Sequence, residues 1–291
     1  MKQQFDDLRF RQVYVEITNI CNLSCRMCPK TKRTPKWMTA DEFEHVLTEI
    51  YPFTRYVYPH VVGEPLCHPE FEKILEICEK HGFTMNITTN GTLINKHEAA
   101  LLTSKCMRQL NFSVHSSWEN GVFDENYVRR ILEFADKRHD SKPNISFRMW
   151  TSSEKSASAL DMILSHYEKT KEEFDAAPSR YATGKALRLA DNTYLNSEDE
   201  FIWPSMSNTV SDGEKFCRAL RTHIGILSDG TVVPCCLDSE GEIKLGNVFK
   251  EDFADIIKNE RTNAIYNGFS QRKAVEDLCK RCGYCELRLK K

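Results

Sequence analysis

Three cysteines lie close together in the segment ICNLSCRMCP, residues 20–29 of the chain. Cys21, Cys25 and Cys28 have the spacing C-x3-C-x2-C and directly follow an apolar, strand-like run. Three thiolates at this spacing reach three corners of an iron–sulfur cube, and the fourth iron then has no ligand from the protein. Zinc favours four tetrahedral ligands, and no fourth Cys or His follows Cys28 at a suitable distance. The segment therefore predicts an open iron–sulfur cluster, with a zinc site or plain core cysteines as the alternatives.

Length, charge and cysteine count limit the class of protein. The chain has 291 residues, enough for one barrel-sized domain with an appendage or for two ordinary domains. Its 40 basic and 42 acidic residues are intermixed, so a nucleic acid partner is not expected. The N-terminus has no apolar signal region, and no stretch approaches the roughly 20 apolar residues of a membrane span, which predicts a cytoplasmic protein without a membrane partner. Twelve cysteines in that compartment favour metal ligation over disulfides.

Short strand-like runs alternate along the chain with segments of helical period. The runs cover about residues 13–17, 56–62, 85–88, 109–114, 144–149 and 186–190. Helical segments near 39–50, 70–80 and 128–135 each carry one apolar stripe, and Cys78 on the second stripe is expected in the core. Six βα units in one direction form a parallel sheet with helices outside, and right-handed crossovers curve it. The sequence therefore predicts an α/β protein with a partial six-repeat (βα) barrel of the TIM type over residues 10–190.

Several strand-like runs alternate between apolar and polar residues. Successive side chains of a strand point to opposite faces, so Asn111, Ser113 and His115 share one face while their apolar neighbours face the helices. The same parity places further polar residues on the inner face, namely Glu16, Asn86, Thr88, Arg148 and Arg188. In βα barrels the chemistry lies at the carboxyl ends of the strands. A polar lumen with a ligand chamber at that end is therefore expected.

Two further segments at strand ends, together with the cysteine segment, resemble motifs of the radical S-adenosylmethionine (SAM) superfamily. Residues 62–66 read VGEPL and are similar to the family's G-G-E-P motif, and residues 88–92 read TTNGT and are similar to its T-N-G turn. Val62 departs from the family at the first glycine. The resemblance implies that the open iron of a 4Fe-4S cluster binds SAM. It also implies cofactor contacts by Gly63, Glu64, Pro65, Asn90, Ser113 and Arg148.

A second set of cysteines begins shortly after residue 212. Cys217 is followed by twelve residues, Gly230, four residues and Cys235, and residues 279–285 read CKRCGYC. Asp229 and Gly230 between β-forming runs predict a hairpin. The arrangement resembles the SPASM/twitch extension of radical SAM enzymes. This resemblance implies a small α+β domain over residues 213–291, made of a β-hairpin and a helix, behind a connector at 191–212.

The number of cysteines in the extension favours one auxiliary 4Fe-4S cluster. The region has six cysteines, and the adjacent pair Cys235 and Cys236 diverges in an extended segment. The expected ligands are Cys217, Cys235 and two from the closing motif, which contains Cys279, Cys282 and Cys285. A zinc ribbon built from the same thiolates is the alternative. The remaining cysteines Cys236, Cys67 and Cys106 are expected to be small buried residues.

The resemblance implies a radical SAM oxidoreductase or maturase, in which reductive cleavage of SAM gives a 5′-deoxyadenosyl radical that abstracts hydrogen from a substrate. With an auxiliary cluster as electron acceptor, the net change is an oxidation or a cross-link. The released proton needs a base, for which Asp238, His115 and Glu16 are the candidates. A small molecule or a peptide is the expected substrate, and a flavodoxin- or ferredoxin-type protein is the expected low-potential electron donor. The alternatives are a non-enzymatic electron carrier, a zinc-stabilised binding module and RNA or tRNA modification.

Overall fold

The computed structural model describes residues 10–121, 124–138, 140, 142–150, 154–179, 184–198, 200–211 and 213–285. The strands of this part are β1 Gln12–Val15, β2 Tyr56–Tyr58, β3 Thr84–Thr89, β4 Met107–Ser113, β5 Asn144–Met149, β6 Lys185–Ala190, β7 Thr193–Ser197, β8 His223–Ile226, β9 Thr231–Val233 and β10 Gly246–Asn247. The α-helices are α1 Ala40–Ile50, α2 Phe71–Lys80, α3 Glu98–Thr103, α4 His115–Glu119, α5 Glu125–Asp136, α6 Glu154–His166, α7 Lys171–Asp175, α8 Phe253–Ile256, α9 Glu260–Ser270 and α10 Asp277–Lys280.

All of these strands belong to one sheet with the order β10-β9-β8-β1-β2-β3-β4-β5-β7-β6. The strands from β8 to β7 in this order pair in parallel, and antiparallel strands flank them on both sides. β1 to β5 are neighbours in chain order, as repeated βα units with crossovers of one hand require. The predicted parallel α/β architecture is confirmed.

The last parallel strand differs from the expectation. β7 pairs in parallel with β5, whereas β6 pairs antiparallel with β7 at the edge of the sheet. Asn192 in the turn between them has a φ of 53°. Arg188 on β6 was predicted to face the lumen, but its side chain is exposed and pairs with Asp191. The sheet therefore continues beyond residue 190, into the segment that was predicted to be a connector.

Helix α1 illustrates how the outer layer forms. The Thr39 side chain accepts from the backbone N–H of Glu42, and the Glu42 side chain accepts from the backbone N–H of Thr39. This capping box satisfies two N–H groups that the helix cannot pair and so determines where it begins. The stripe on its inner face is fully buried and consists of Phe43, Val46, Leu47 and Ile50. Burial of such side chains contributes about 1.5–3 kcal/mol each. Cys78 on α2 is fully buried as predicted.

The C-terminal extension, residues 213–285, joins the barrel through β8. This strand pairs in parallel with β1, and β9 and β10 continue the sheet in antiparallel fashion. The predicted hairpin between β8 and β9 is present, and Gly230 in its turn has a φ of 82°. A Cβ at Gly230 would lie 2.4 Å from a ring carbon of Phe249, so this turn requires glycine. No helix in the described ranges combines the length and the apolar content needed to cross a bilayer.

Candidate active site in the barrel lumen

A cavity of about 1220 Å³ occupies the barrel lumen and reaches the extension. Its wall includes the three thiols of the first set, Cys21, Cys25 and Cys28. It also includes the six thiols of the extension, Cys217, Cys235, Cys236, Cys279, Cys282 and Cys285. Between the two sets the wall carries polar side chains of the strand ends, among them Glu64, Thr88, Asn90, Ser113, His115 and Arg148. The fold thus brings both predicted cysteine sets to one chamber, the lumen cavity.

The first three thiols lie on the loop between β1 and α1. The side-chain amide of Asn120 donates to Cys25 Sγ at 3.1 Å, and that of Asn90 lies 3.9 Å from Cys21 Sγ. A hydrogen bond from the Cys28 thiol, followed by the Asn120 amide, lowers the pKa of Cys25 to about 6. Amide N–H groups aimed at sulfur favour thiolate ligands, so this loop fits an iron–sulfur cluster.

Glu64 ties two loops of the chamber together. Its carboxylate is buried and accepts from the backbone N–H of Leu66 at 3.0 Å, the hydroxyl of Thr89 at 2.7 Å and the backbone N–H of Asn90 at 2.7 Å. Burial raises the pKa of Glu64 to about 7 because desolvation outweighs these three donors. These donors of the protein itself take three acceptor positions of the carboxylate, and its expected contact with SAM stays a prediction.

The loop before Glu64 packs backbone against backbone. Gly63 has a φ of 82°, and a Cβ at this position would lie 2.3 Å from the carbonyl oxygen of Thr18. Only glycine allows this approach, because any other side chain meets the end of the first strand. Pro65 then begins a short 3-10 helix, Pro65–Cys67, which Glu64 caps. Val62, Gly63 and Glu64 of this loop line the cavity.

His115, Ser113 and Arg148 meet at the ends of β4 and β5. Ser113 and Arg148 are neighbours in register, and His115 Nδ1 lies 3.1 Å from the carbonyl oxygen of Arg148. The His115 ring stacks on Trp150 with 5.5 Å between ring centroids. Burial lowers the pKa of His115 to about 4, so the imidazole is neutral at pH 7. With its proton on Nδ1 and donated to the carbonyl, His115 has a lone pair on Nε2.

Tyr14, Tyr58 and His60 form an aromatic wall of the lumen cavity that no motif predicts. The Tyr14 ring lies 5.1 Å from Tyr58 and 5.6 Å from His60 between centroids. His60 Nδ1 is buried and has no hydrogen-bond partner among the described residues. Burial, then the charge of Arg148, lowers the pKa of His60 to about 3. Strand parity places Tyr14 on the lumen face, because it lies two residues before Glu16. His60 lies beyond the end of β2, where the alternation of faces stops, so parity makes no prediction for it.

Five thiols of the extension lie near one another on the far side of the cavity. Cys285 hydrogen-bonds to both Cys217 and Cys282. Cys235 and Cys279 interact electrostatically with this group, and burial raises the pKa of each. Within the described ranges, no three His, Cys, Asp or Glu side chains are arranged to hold a single metal ion. The donors are all sulfur and exceed the four that an enclosed 4Fe-4S cluster requires, so the set fits such a cluster.

The remaining cysteines differ in their environments. Cys236 was predicted to be a core residue, but its thiol lines the cavity and hydrogen-bonds to Tyr14, because it diverges from the side chain of Cys235. Burial raises the pKa of Cys236 to about 12. Cys106 is 3% exposed and hydrogen-bonds to Cys78, so its prediction as a buried residue is confirmed. Cys67 is only half-buried.

The two carboxylates predicted as candidate bases have other partners. The oxygens of Asp238 accept from the backbone N–H groups of Glu242 at 2.9 Å and Ile243 at 2.8 Å, which holds the turn that follows Cys236. Burial raises the pKa of Asp238. Glu16 pairs with Arg33 and accepts two backbone N–H groups. Both carboxylates therefore hold backbone segments in place, and Asp238 and His115, which both line the cavity, stay the predicted bases.

Two regions of the chain match models of known protein families. Residues 15–150 match the family model of the radical SAM superfamily, and residues 217–283 match SPASM, an iron-sulfur cluster-binding domain. A curated relative is the tungsten-containing aldehyde ferredoxin oxidoreductase cofactor-modifying protein of Pyrococcus furiosus, 38% identical over 88 residues. That match spans 29% of this chain and 25% of the relative.

Two solved structures have the same fold. BtrN in complex with AdoMet and 2-DOIA superposes with a TM-score of 0.61 at 16% identity, over 94% of this chain and 92% of that chain. SuiB of Streptococcus suis bound to the precursor peptide SuiA superposes with a TM-score of 0.61 at 18% identity. The SuiB match covers 96% of this chain and 71% of that chain.

Proposed function

Since the chain belongs to the radical SAM superfamily and carries a SPASM iron–sulfur domain, we propose that it is a radical SAM enzyme of the oxidoreductase or maturase type. One observation carries the proposal: a set of three thiols and a set of five thiols line the same cavity. A set of three leaves one iron of a 4Fe-4S cluster open to a ligand, and a set of five is sufficient to enclose a second cluster. An electron carrier or a zinc module needs no chamber lined by polar groups between its metal sites.

The ends of the first strands would hold the cofactors. Cys21, Cys25 and Cys28 would ligate the first cluster, and the bound cluster and SAM would supply reductive cleavage to a 5′-deoxyadenosyl radical able to take a hydrogen atom from the substrate. Asn90 positions this region, since its amide donates to Asn22 at 2.9 Å and lies near Cys21. The backbone carbonyls of Val62 and Gly63, two residues that line the cavity, would accept from the amino group of SAM.

Arg148 and Ser113 complete the cofactor site. Both side chains line the cavity, and they are neighbours in register on adjacent strands. A guanidinium binds a carboxylate with two parallel hydrogen bonds, and a hydroxyl both donates and accepts. We therefore assign Arg148 to the carboxylate of SAM and Ser113 to its ribose.

An auxiliary 4Fe-4S cluster is assigned to Cys217, Cys235 and two of the three cysteines at the end of the extension. A cluster there would supply an electron acceptor, so that the substrate would lose one hydrogen atom, one electron and one proton in total, which is an oxidation or a cross-link. The proton requires an acceptor at the cavity. Nε2 of His115 is the assigned acceptor, because this imidazole is neutral at pH 7 and its ring is oriented by the Arg148 carbonyl.

The substrate is assigned to peptides or to precursors of cofactors. The Pyrococcus furiosus relative is named for modifying a cofactor, and SuiB was solved with a precursor peptide. The lumen cavity of about 1220 Å³ exceeds the range of roughly 300–1000 Å³ of single-ligand pockets, so it has room for part of a second molecule beside SAM. A low-potential protein of the flavodoxin or ferredoxin type supplies the electron, which suits a reducing, cytoplasmic compartment.

The test is anaerobic reconstitution with iron and sulfide, followed by dithionite and SAM. We expect about eight irons per chain and formation of 5′-deoxyadenosine. Cys21→Ala abolishes 5′-deoxyadenosine formation, whereas the control Cys106→Ala, which removes a buried thiol outside both sets, leaves the iron content unchanged. Bound zinc without any 5′-deoxyadenosine contradicts the proposal.

A further inference from the structure

Two arginines lie at the end of the lumen cavity that is opposite to the first cysteine set. Arg11 precedes β1 and Arg108 lies near the start of β4, and both line the cavity. Arg108 donates to Asn86 at 2.9 Å, and its guanidinium carbon lies 5.6 Å from the centroid of the Tyr56 ring. Neither Arg11 nor Arg108 forms an ion pair with any carboxylate in the part of the chain that the structure describes.

Apart from its thiols, the cavity wall has more basic side chains than carboxylates. Its basic side chains are Arg11, Lys30, Arg108, Arg148 and Arg218, and its carboxylates are Glu64, Glu198 and Asp238. Glu64 and Asp238 already accept hydrogen bonds from backbone N–H groups, which offset much of their charge. Arg11 and Arg108 are exposed, so their guanidinium groups are accessible to an anion from solvent.

The position of the two arginines separates them from the SAM site. Arg108 precedes Ser113 by five residues on β4, which corresponds to about 17 Å at roughly 3.3 Å per residue. A molecule that contacts both ends of the cavity is therefore elongated, with its reacting carbon near the first cluster and its other end near Arg108.

The wall between the two ends is largely aromatic. The rings of Tyr14, Tyr58 and His60 lie there, and Gln12 donates to the Tyr58 hydroxyl at 3.4 Å. His60 is neutral at pH 7 because burial lowers its pKa to about 3. Attraction for an anion at the far end thus comes from the guanidinium groups, while the rings offer flat apolar contact.

We propose that Arg11 and Arg108 form an anion subsite, which binds a carboxylate or phosphate group at the end of the substrate farthest from the reacting carbon. A guanidinium presents paired N–H donors that match either oxyanion. That the anion belongs to the substrate rests on the proposed function, whereas the subsite itself rests on the two arginines.

The test uses simple probes on the reconstituted, SAM-saturated protein, so that SAM occupies the Arg148 end. Phenyl phosphate and phenylacetate are the anionic probes, and 2-phenylethanol is the neutral match. Isothermal titration calorimetry is expected to show saturable binding of at least one anion and much weaker binding of the alcohol. Which anion binds more tightly distinguishes a phosphate from a carboxylate substrate.

Matched variants locate the site. Arg108→Gln and Arg11→Gln are each expected to weaken anion binding roughly tenfold to a hundredfold, as the loss of a charged hydrogen bond does. Arg55→Gln is the control, because Arg55 also stacks on tyrosine, at Tyr51, but does not line the cavity. If Arg108→Gln fails to fold, Arg108→Lys retains the charge and is expected to keep part of the affinity.

Three results overturn the subsite: no saturable binding of either anion, equal binding of the alcohol, or equal effects of Arg108→Gln and Arg55→Gln. The formation of 5′-deoxyadenosine is measured in the same samples. Anion binding without SAM cleavage retains the subsite and removes the proposed function. SAM cleavage without anion binding retains the proposed function and removes the subsite.

Discussion

The guanidinium of Arg33 lies 2.7 Å from the carboxylate of Glu16, and the Glu16 side chain has no solvent exposure. Glu16 also accepts from the backbone N–H groups of Val62 at 3.2 Å and Ser228 at 3.1 Å. Arg33 in turn donates to the carbonyl of Ser239 at 2.8 Å. This pair therefore connects the cysteine loop, the loop before Glu64 and the extension.

We predict that Arg33→Met costs about 3–5 kcal/mol of unfolding free energy, because it leaves the Glu16 charge buried without its partner. Anaerobic urea unfolding of the reconstituted protein measures the loss. Arg188→Met is the matched control: it breaks an exposed pair at the sheet edge, for which a loss of no more than about 1 kcal/mol is expected. Equal losses of unfolding free energy in the two variants would show that the Glu16–Arg33 pair stabilises the protein no more than an exposed ion pair does.

Glu64→Gln tests whether the Glu64 carboxylate holds two loops of the chamber together through the backbone N–H groups of Leu66 and Asn90. The amide group of Gln has one acceptor oxygen, so one of the backbone N–H groups of Leu66 and Asn90 meets an N–H₂ group instead of an acceptor. An unsatisfied buried donor costs about 1–3 kcal/mol. We expect a lower melting temperature and weaker SAM binding, measured by equilibrium dialysis. Unchanged SAM affinity in a less stable protein would limit Glu64 to a structural role.

Acidification is expected to destabilise the chain through its buried imidazoles. The pKa is lowered to about 3 in His60 and to about 4 in His115, so as pH falls below about 6.5 the unfolded state binds protons that the folded state does not. Each group then removes up to about 1.4 kcal/mol per pH unit until its folded pKa is reached. Unfolding at pH 7, 6 and 5 should show a smaller slope for His60→Asn than for the unmodified protein. Parallel slopes would mean that His60 is exposed to solvent.

Substitution of the adjacent residues Cys235 and Cys236 distinguishes a ligand of the auxiliary cluster from a neighbouring cysteine. Cys235→Ala is expected to reduce the iron content to about four per chain, because the auxiliary cluster loses a ligand. Cys236→Ala removes the thiol that bonds to Tyr14 and is expected to retain about eight irons. Iron analysis and electron paramagnetic resonance of the reduced proteins provide the comparison. A reversed outcome would make Cys236 the ligand.

Local pattern was sufficient for much of the fold. The capping box at Thr39 and Glu42, the buried stripe of α1 and the turn at Gly230 each depend on residues a few positions apart, so they are legible in the sequence. The sixth parallel strand was misplaced because the run at 186–190 was taken as the last strand of the barrel and 193–197 was assigned to the connector. Only the pairing of β7 with β5 decides which of them continues the barrel.

By itself, the sequence determined the cysteine spacing, the strand parity and hence the class of metal chemistry, since these depend on residues adjacent along the chain. The tertiary structure alone decided which groups share the lumen cavity. The parallel pairing of β8 with β1 brings the thiols of the extension to the chamber of the first set. It also places Tyr14 against Cys236 and brings the backbone N–H of Ser228 to the Glu16 carboxylate. Contacts between residues far apart in the chain arise only when the strands pair, because no local pattern encodes which distant donor a buried carboxylate will meet.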